Sequence, residues 1–260
     1  MPELPDVEVE RRYLAATSLH RPIEKVRVSD GRVLKNLTPS GLGRRVHRRS
    51  LAHARRHGKW LVVPFEDDAA LVLHFGMTGF LKAYRSEAAL TPHCQVRFRF
   101  ADGGSLDYVA SRKLGEVRIA ASLDDLVERR GLGPDAWSVS LAVFQERLGS
   151  RRGTVKGALT HQSVLAGLGN MYADETLFQA RIHPRAPAAE LPEEKVKRLH
   201  GAMRDVLQTA VEAKADPEAM PDAFLLLHRC SGAPCPRCQG RVESYEIGGR
   251  RGYYCPRCQT

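Results

Sequence analysis

No stretch of this chain approaches the roughly eighteen consecutive apolar residues of a membrane-spanning helix, and its start lacks the basic-then-apolar pattern of a secretion signal. Those absences argue against a helical membrane protein and predict a soluble, cytoplasmic one. Acidic residues are in short supply: Asp and Glu number 30 against 40 Lys and Arg, which leaves a net charge of +10 and a pI near 9.6. The deficit implies a polyanionic partner, nucleic acid before an anionic membrane surface. Internal repeats and low-complexity tracts are also missing, so neither a solenoid nor a disordered linker protein is indicated. What is plentiful is ordinary apolar content: 43% of 260 residues are hydrophobic, enough for two modest cores.

The chain divides by texture. Apolar and β-branched runs recur at 60–65, 70–75, 80–84, 95–100, 105–109 and 116–119, parted by turn-formers such as Glu66-Asp67-Asp68 and Asp102-Gly103-Gly104. Short strands so closely spaced predict an antiparallel sandwich or barrel. Before them, 4–18 reads as a helix, with Pro5 in its first turn and Asp6 and Glu8 near the positive end of its dipole. After Gly131-Leu132-Gly133-Pro134 the pattern turns helical, at 141–148, 154–164, 171–180 and 193–213, and 213–222 reads as loop. The fold class is α+β.

Cys235, Cys238, Cys255 and Cys258 form Cys-x2-Cys, sixteen residues, then Cys-x2-Cys. Each two-residue gap lets a tight turn aim two thiolates at one ion, and Pro236 and Pro256 follow the first cysteine of each pair, as turn chemistry favours. The spacing predicts one Zn2+ in a four-cysteine site, structural because four thiolates leave no open position for a catalytic water. Residues 242–247 and 251–254 look like two short strands around Gly248-Gly249. Cys94 and Cys230 are left over and read as buried small apolar groups.

The chain opens Met-Pro-Glu-Leu-Pro. Methionine before proline is expected to be trimmed, which leaves a secondary amine at Pro2. An α-amino group titrates near about pH 8, so a useful fraction is neutral and can attack an electrophilic carbon to form an iminium. Glu3 beside it can move protons. The plainer reading is an unstructured start. Further on, residues 162–175 read Gln-Ser-Val-Leu-Ala-Gly-Leu-Gly-Asn-Met-Tyr-Ala-Asp-Glu: a helix ending near Leu165, a glycine turn, and a new helix opened by Asn170. Such a junction offers backbone N–H groups and an amide to a phosphate, or else Asn170 is an ordinary N-cap.

The Pro-Glu-Leu-Pro start, the Gly-Leu-Gly-Asn-Met-Tyr-Ala-Asp-Glu turn and the four-cysteine ribbon occur here in the order of the formamidopyrimidine-DNA glycosylase/endonuclease VIII family, which this chain resembles end to end. The resemblance implies an N-terminal helix with a β-sandwich at 1–130, a helix–two-turn–helix domain at 131–222 and a zinc finger at 223–260, with damaged double-stranded DNA in the cleft between domains. It implies a bifunctional DNA glycosylase/abasic-site lyase of base excision repair, monomeric and associated with the bacterial nucleoid. Pro2 would attack C1′ of the damaged nucleoside, Glu3 would be the general acid/base, and Lys59, in His-Gly-Lys-Trp, would stand against the phosphate or damaged nucleotide. Asn170 would grip the backbone near the lesion, with Lys156 adding a phosphate contact. Arg250, or Arg251 beside it, matches the zinc-finger arginine. His74-Phe75-Gly76-Met77-Thr78-Gly79 is similar to the family's His-Leu-Gly-Met-Ser-Gly, which makes Met77 a wedge, and Ser111-Arg112-Lys113-Leu114-Gly115 resembles Arg-Arg-Phe-Gly, which turns Arg112 toward the orphaned base.

Three departures bear on substrate. Asp6 stands where that branch carries glutamate, and Leu114 where it carries a phenylalanine wedge. Segment 213–230 is too short for the loop that covers an extruded 8-oxoguanine, and Phe224-Leu225-Leu226-Leu227-His228-Arg229 resembles the short approach to the finger in the endonuclease VIII branch. The lesion stays open among oxidised purines, oxidised pyrimidines and bulkier adducts. Two other classes compete: a non-catalytic lesion binder on the same scaffold, which would need neither Pro2 nor Glu3, and a zinc-ribbon nucleic-acid adaptor, which would not need the matches outside the ribbon.

Overall fold

The alternating runs of the first half become two four-stranded antiparallel sheets. The computed structural model describes every residue except Asp67 and Asp68, so that part of the expected 66–68 turn lies outside the described residues. One sheet runs in the order β1 (Ile23–Val28), β6 (Cys94–Phe100), β7 (Ser105–Ala110), β5 (Gly79–Tyr84). The other runs β2 (Arg55–His57), β3 (Trp60–Pro64), β4 (Ala70–His74), β8 (Glu116–Ala120). Along β6, Val96, Phe98 and Phe100 are buried while Arg99 faces water, the period-two pattern of a strand with one wet face. Those residues meet Leu61, Val63, Leu71 and Leu73 of the other sheet, together with Val7 and Leu14 of α1 (Leu4–Thr17), in one core.

Two of these strands escape sequence reading: β1 carries charges on both sides of its pattern, and β2 is only three residues long. Two helices escape as well. In α2 (Pro39–Val46), Thr38 Oγ1 accepts the Gly41 N–H at 3.0 Å and Pro39 opens the first turn, an N-terminal signature on a segment rich in glycine and arginine. The other, α3 (Leu123–Arg130), has one buried residue, Leu126, which leaves almost no apolar periodicity to detect.

A second unit comprises Glu3–Pro5 with Gly131–Thr260; Met1–Pro2 and Asp6–Arg130 form the first. It holds α4 (Leu141–Gly149), α5 (Val155–Thr160), α6 (Asn170–Gln179) and α7 (Glu193–Glu212). Their core runs from Leu4 through Phe144, Leu159, Leu177 and Met203. The expected helix at 154–164 stops four residues early. Gln162 intervenes there: its Nε2 donates to the Thr160 and Leu168 carbonyls and its Oε1 accepts the Gly167 N–H, so the side chain builds the turn that the helix would have crossed. Gly167 sits at φ +123°, and a Cβ there would lie 2.6 Å from Leu4 Cδ1. The ribbon strands β9 (Glu243–Ile247) and β10 (Arg250–Tyr254) pair through Gly248 and Gly249, both at positive φ, as a two-residue hairpin requires. Phe178 of α6 packs against Leu225, Cys235, Val242 and Cys255, which seats the ribbon on the helices.

Candidate active site

Pro2 is partly exposed and precedes the first helical residue, Leu4. Glu3 is 2% exposed. Its carboxylate accepts three backbone N–H groups at the start of α6: Gly169 at 2.6 Å, Met171 at 2.9 Å and Tyr172 at 3.3 Å. A carboxylate at a helix N-terminus is held by unsatisfied donors and by the dipole together. The expectation that these N–H groups face a phosphate is corrected accordingly, because Glu3 already occupies them.

Asn170 is the first residue of α6, with Gly169 as the cap. Its Nδ2 donates to the Arg251 carbonyl at 2.8 Å, while its buried Oδ1 takes no hydrogen bond from the described residues. Lys156, expected on a phosphate, is 3% exposed instead. Its ammonium donates to the Asn170 carbonyl at 2.6 Å and pairs with Asp174. Burial pulls its pKa down and Asp174 pulls it back, so the cation is a buried brace behind Asn170 rather than a surface contact. Arg250 and Arg251 are exposed at the start of β10.

Asp174, one turn below Asn170, is a functional residue that the sequence pattern leaves without a role. Its side chain is fully buried and accepts Arg229 Nη1 at 2.5 Å, Tyr253 N–H at 3.1 Å, the Tyr245 hydroxyl and Lys156. One carboxylate thereby joins α5, α6, the segment before the ribbon and both ribbon strands. The available signal was its i, i+4 spacing from Asn170.

In the sandwich unit, Lys59 follows Gly58 (φ +55°) at the β2–β3 turn and is 6% exposed. It lies near His74, whose ring packs 4.6 Å from that of Trp60. Burial pushes this imidazole down to about 4; Glu116 opposes the fall, while Lys59, Arg130 and Arg118 add to it. His74 Nδ1 accepts the Gly76 N–H at 3.2 Å, so a neutral ring shapes the turn that exposes Met77. Met77 is 40% exposed and Leu114 59%. Arg112 Nη1 reaches Met77 Sδ at 3.3 Å, and Thr78 Oγ1 accepts both the Ser111 hydroxyl and the Arg112 N–H. The structure thus brings Met77, Arg112 and Leu114 onto two interlocked loops.

The four ribbon cysteines converge, all sulfurs lying within 4.8 Å of one another. The Cys235–Cys258 and Cys238–Cys255 sulfurs are 3.8 and 3.7 Å apart. A tetrahedron with Zn–S bonds of about 2.3 Å requires sulfurs about 3.8 Å apart, so the donor set fits zinc. Gly240 N–H donates to Cys238 Sγ at 3.3 Å and holds that thiol down to about 7. Of the other two cysteines, Cys94 is buried and its thiol pushed up to about 12 by burial and Asp107. Cys230 is exposed, against expectation, because the Ser231-Gly232 turn carries it on the surface.

Three family models cover the chain in order. The formamidopyrimidine-DNA glycosylase N-terminal domain matches residues 1–117, the formamidopyrimidine-DNA glycosylase H2TH domain residues 131–220, and the zinc finger found in FPG and IleRS residues 232–260. The formamidopyrimidine-DNA glycosylase of Exiguobacterium sibiricum is 34% identical over 275 aligned positions, which cover 100% of this chain and 99% of that protein. The chain belongs to the formamidopyrimidine-DNA glycosylase family.

Among solved structures of this glycosylase family, Lactococcus lactis FPG (MutM) in complex with a FAPY-dG containing DNA aligns with a TM-score of 0.88 at 26% identity, covering 99% of this chain and 100% of that one. MutM in complex with carbocyclic 8-oxo-G containing DNA gives 0.88 at 27%, with both chains covered completely. As a formamidopyrimidine-DNA glycosylase family member, the protein is a base-excision-repair enzyme, a DNA glycosylase with abasic-site lyase activity, and its cysteine cluster holds one structural zinc.

Proposed function

We propose that, once Met1 is removed, the Pro2 nitrogen is the nucleophile of a bifunctional DNA glycosylase acting on damaged double-stranded DNA. The nitrogen attacks C1′ of the damaged nucleoside, the glycosidic bond breaks, and the base leaves with its electron pair and gains a proton. The Pro2 nitrogen gives up its proton, the C1′–O4′ bond breaks as O4′ takes one, and the opened sugar is an iminium on Pro2; loss of a C2′ proton expels the 3′ phosphate, a second elimination expels the 5′ phosphate, and water releases the sugar fragment. Glu3 shuttles the protons. One observation carries the reading: Glu3, peptide-bonded to Pro2, has its carboxylate fixed by three N–H donors of α6, a rigid mount for a group next to a reacting amine.

In this reading Lys59 stands against the phosphate or damaged nucleotide, Asn170 and Arg250 grip the DNA backbone, and Met77 and Arg112 fill the gap left by the extruded base. Lys156 acts through Asn170. Domains 1–130, 131–222 and 223–260 divide these tasks in a monomer of the bacterial cytoplasm. No described helix is long and apolar enough to cross a membrane.

Borohydride reduction with abasic-site DNA tests the assignment. The expected product is a covalent protein–DNA adduct at the N-terminal residue, lost when a peptide extension blocks the amine. An extended protein that still traps at full yield would show that Pro2 is not the nucleophile.

A further inference from the structure

The two interlocked loops that expose Met77, Arg112 and Leu114 include a residue tied to a third segment. Between Arg112 and Leu114, Lys113 adopts φ +55°, a left-handed conformation that costs free energy for a residue with a Cβ. Its N–H donates to the Ala110 carbonyl at 3.2 Å, closing the turn out of β7, while its Nζ lies 2.8 Å from Asp30 Oδ2. With the half-buried Lys113 tied to Asp30, Arg112 and the 59%-exposed Leu114 on either side stay exposed. Asp30 is itself a fixed post. It caps the short turn Gly31–Val33 by accepting the Arg32 N–H and pairs with the Arg32 guanidinium, whose side chain is 72% exposed. That segment is stitched to β8, which follows the loop, by Lys35 N–H donating to the Val117 carbonyl at 3.1 Å. The loop's other side backs on Gly76, where a Cβ would lie 2.6 Å from the Leu114 carbonyl carbon.

We propose that the Asp30–Lys113 ion pair is a latch that positions the Arg112–Leu114 loop for base extrusion, with Asp30, outside the family motifs, and Lys113, inside the loop motif, as positioning residues. The inference rests on the glycosylase reading and deepens it. A partly exposed ion pair adds little to global stability, so its loss leaves a folded protein with a loosened loop. Extrusion requires side chains to replace lost stacking, whereas an abasic site has no base to extrude. The latch therefore acts on base excision and not on abasic-strand cleavage.

Single-turnover rates on a ring-opened purine duplex and on an abasic duplex test this, with Asp30→Asn, Lys113→Met, Lys113→Arg and the Asp30→Asn/Lys113→Met double variant. Each disruptive single variant is expected to slow excision about tenfold, the scale of a small misplacement, with abasic cleavage within about twofold of wild type. Lys113→Arg should restore excision, and the double variant should be no slower than either single one. Additive losses, or Asp30→Asn excising at the wild-type rate, would overturn the latch. So would Lys113→Met weakening abasic-DNA binding while Asp30→Asn does not, since Lys113 would then be a direct phosphate contact. Wild-type protein inactive on both duplexes would overturn the parent reading and this inference with it; an active wild type matched by its variants would overturn this inference alone.

Discussion

At the residue scale, Glu3 carries two jobs in one carboxylate. Its oxygens accept from Gly169, Met171 and Tyr172, and in the proposed chemistry the same group moves protons for Pro2. Glu3→Gln preserves shape but turns an NH2 toward a backbone N–H, so one of the α6 donors loses its acceptor. Base excision should fall by roughly 10²–10⁴-fold, the usual contribution of a general acid/base, and thermal stability should drop because a buried donor is left unpaired, at about 1–3 kcal/mol. Cleavage of a preformed abasic site should fall less, since no base has to be protonated. Parallel single-turnover assays check this, and equal excision by variant and wild type would remove Glu3 from the chemistry.

At the element scale, the ribbon and the turn before it are each held by a few groups. Cys238→Ser or zinc removal by a chelator should unfold β9–β10, because the hairpin core amounts to little beyond Val242, Tyr245 and the cysteines. Asn170 would then lose the Arg251 carbonyl and Asp174 the Tyr253 N–H. DNA affinity should weaken for every lesion alike, and Cys230→Ser should leave zinc content by elemental analysis unchanged. Glu175 holds the turn Leu225–His228 by accepting the Leu225 and Leu226 N–H groups, and burial pushes its carboxyl up to about 7. The folded state binds this proton more tightly than the unfolded chain. Its contribution is complete below about pH 4.5 and is lost as pH rises through about 7. Glu175→Gln should therefore narrow the gap in melting temperature between pH 5 and pH 8, and an unchanged gap would show that the carboxyl does not titrate there.

At the scale of the whole molecule, charge and length bear on substrate. A net charge of +10 supports binding to any duplex, with affinity falling steeply as salt rises, and does not discriminate among lesions. Discrimination needs groups on the distinguishing edge of the base, worth about 1–3 kcal/mol per good bidentate contact. Segment 213–230 contains two short turns, Pro217–Ala219 and Leu225–His228, and the second is pinned by Glu175. Leu114, exposed where a phenylalanine wedge is expected, stacks less well on a base. Excision of 8-oxoguanine opposite cytosine should therefore be slower than that of a ring-opened purine, with abasic cleavage robust. Matched single-turnover rates decide the order, and 8-oxoguanine as the fastest substrate would refute it.

Short-range chemistry was legible from the sequence alone. The Cys-x2-Cys pairs fix their own geometry within four residues, and the six expected strands stand within about one residue of their observed ends because short apolar, β-branched runs bounded by turn-formers are written locally. The family followed from motifs at both ends of the chain. Only the tertiary structure decided which polar groups meet. Glu3 finds its donors 166 to 169 positions away, Lys156 is buried against Asp174 instead of facing phosphate, and Asp30 reaches Lys113 across 83 positions. A charged residue looks alike in sequence whether solvated or buried. Its partner is chosen by long-range packing, through the cost of burying an unpaired charge, which no local window records.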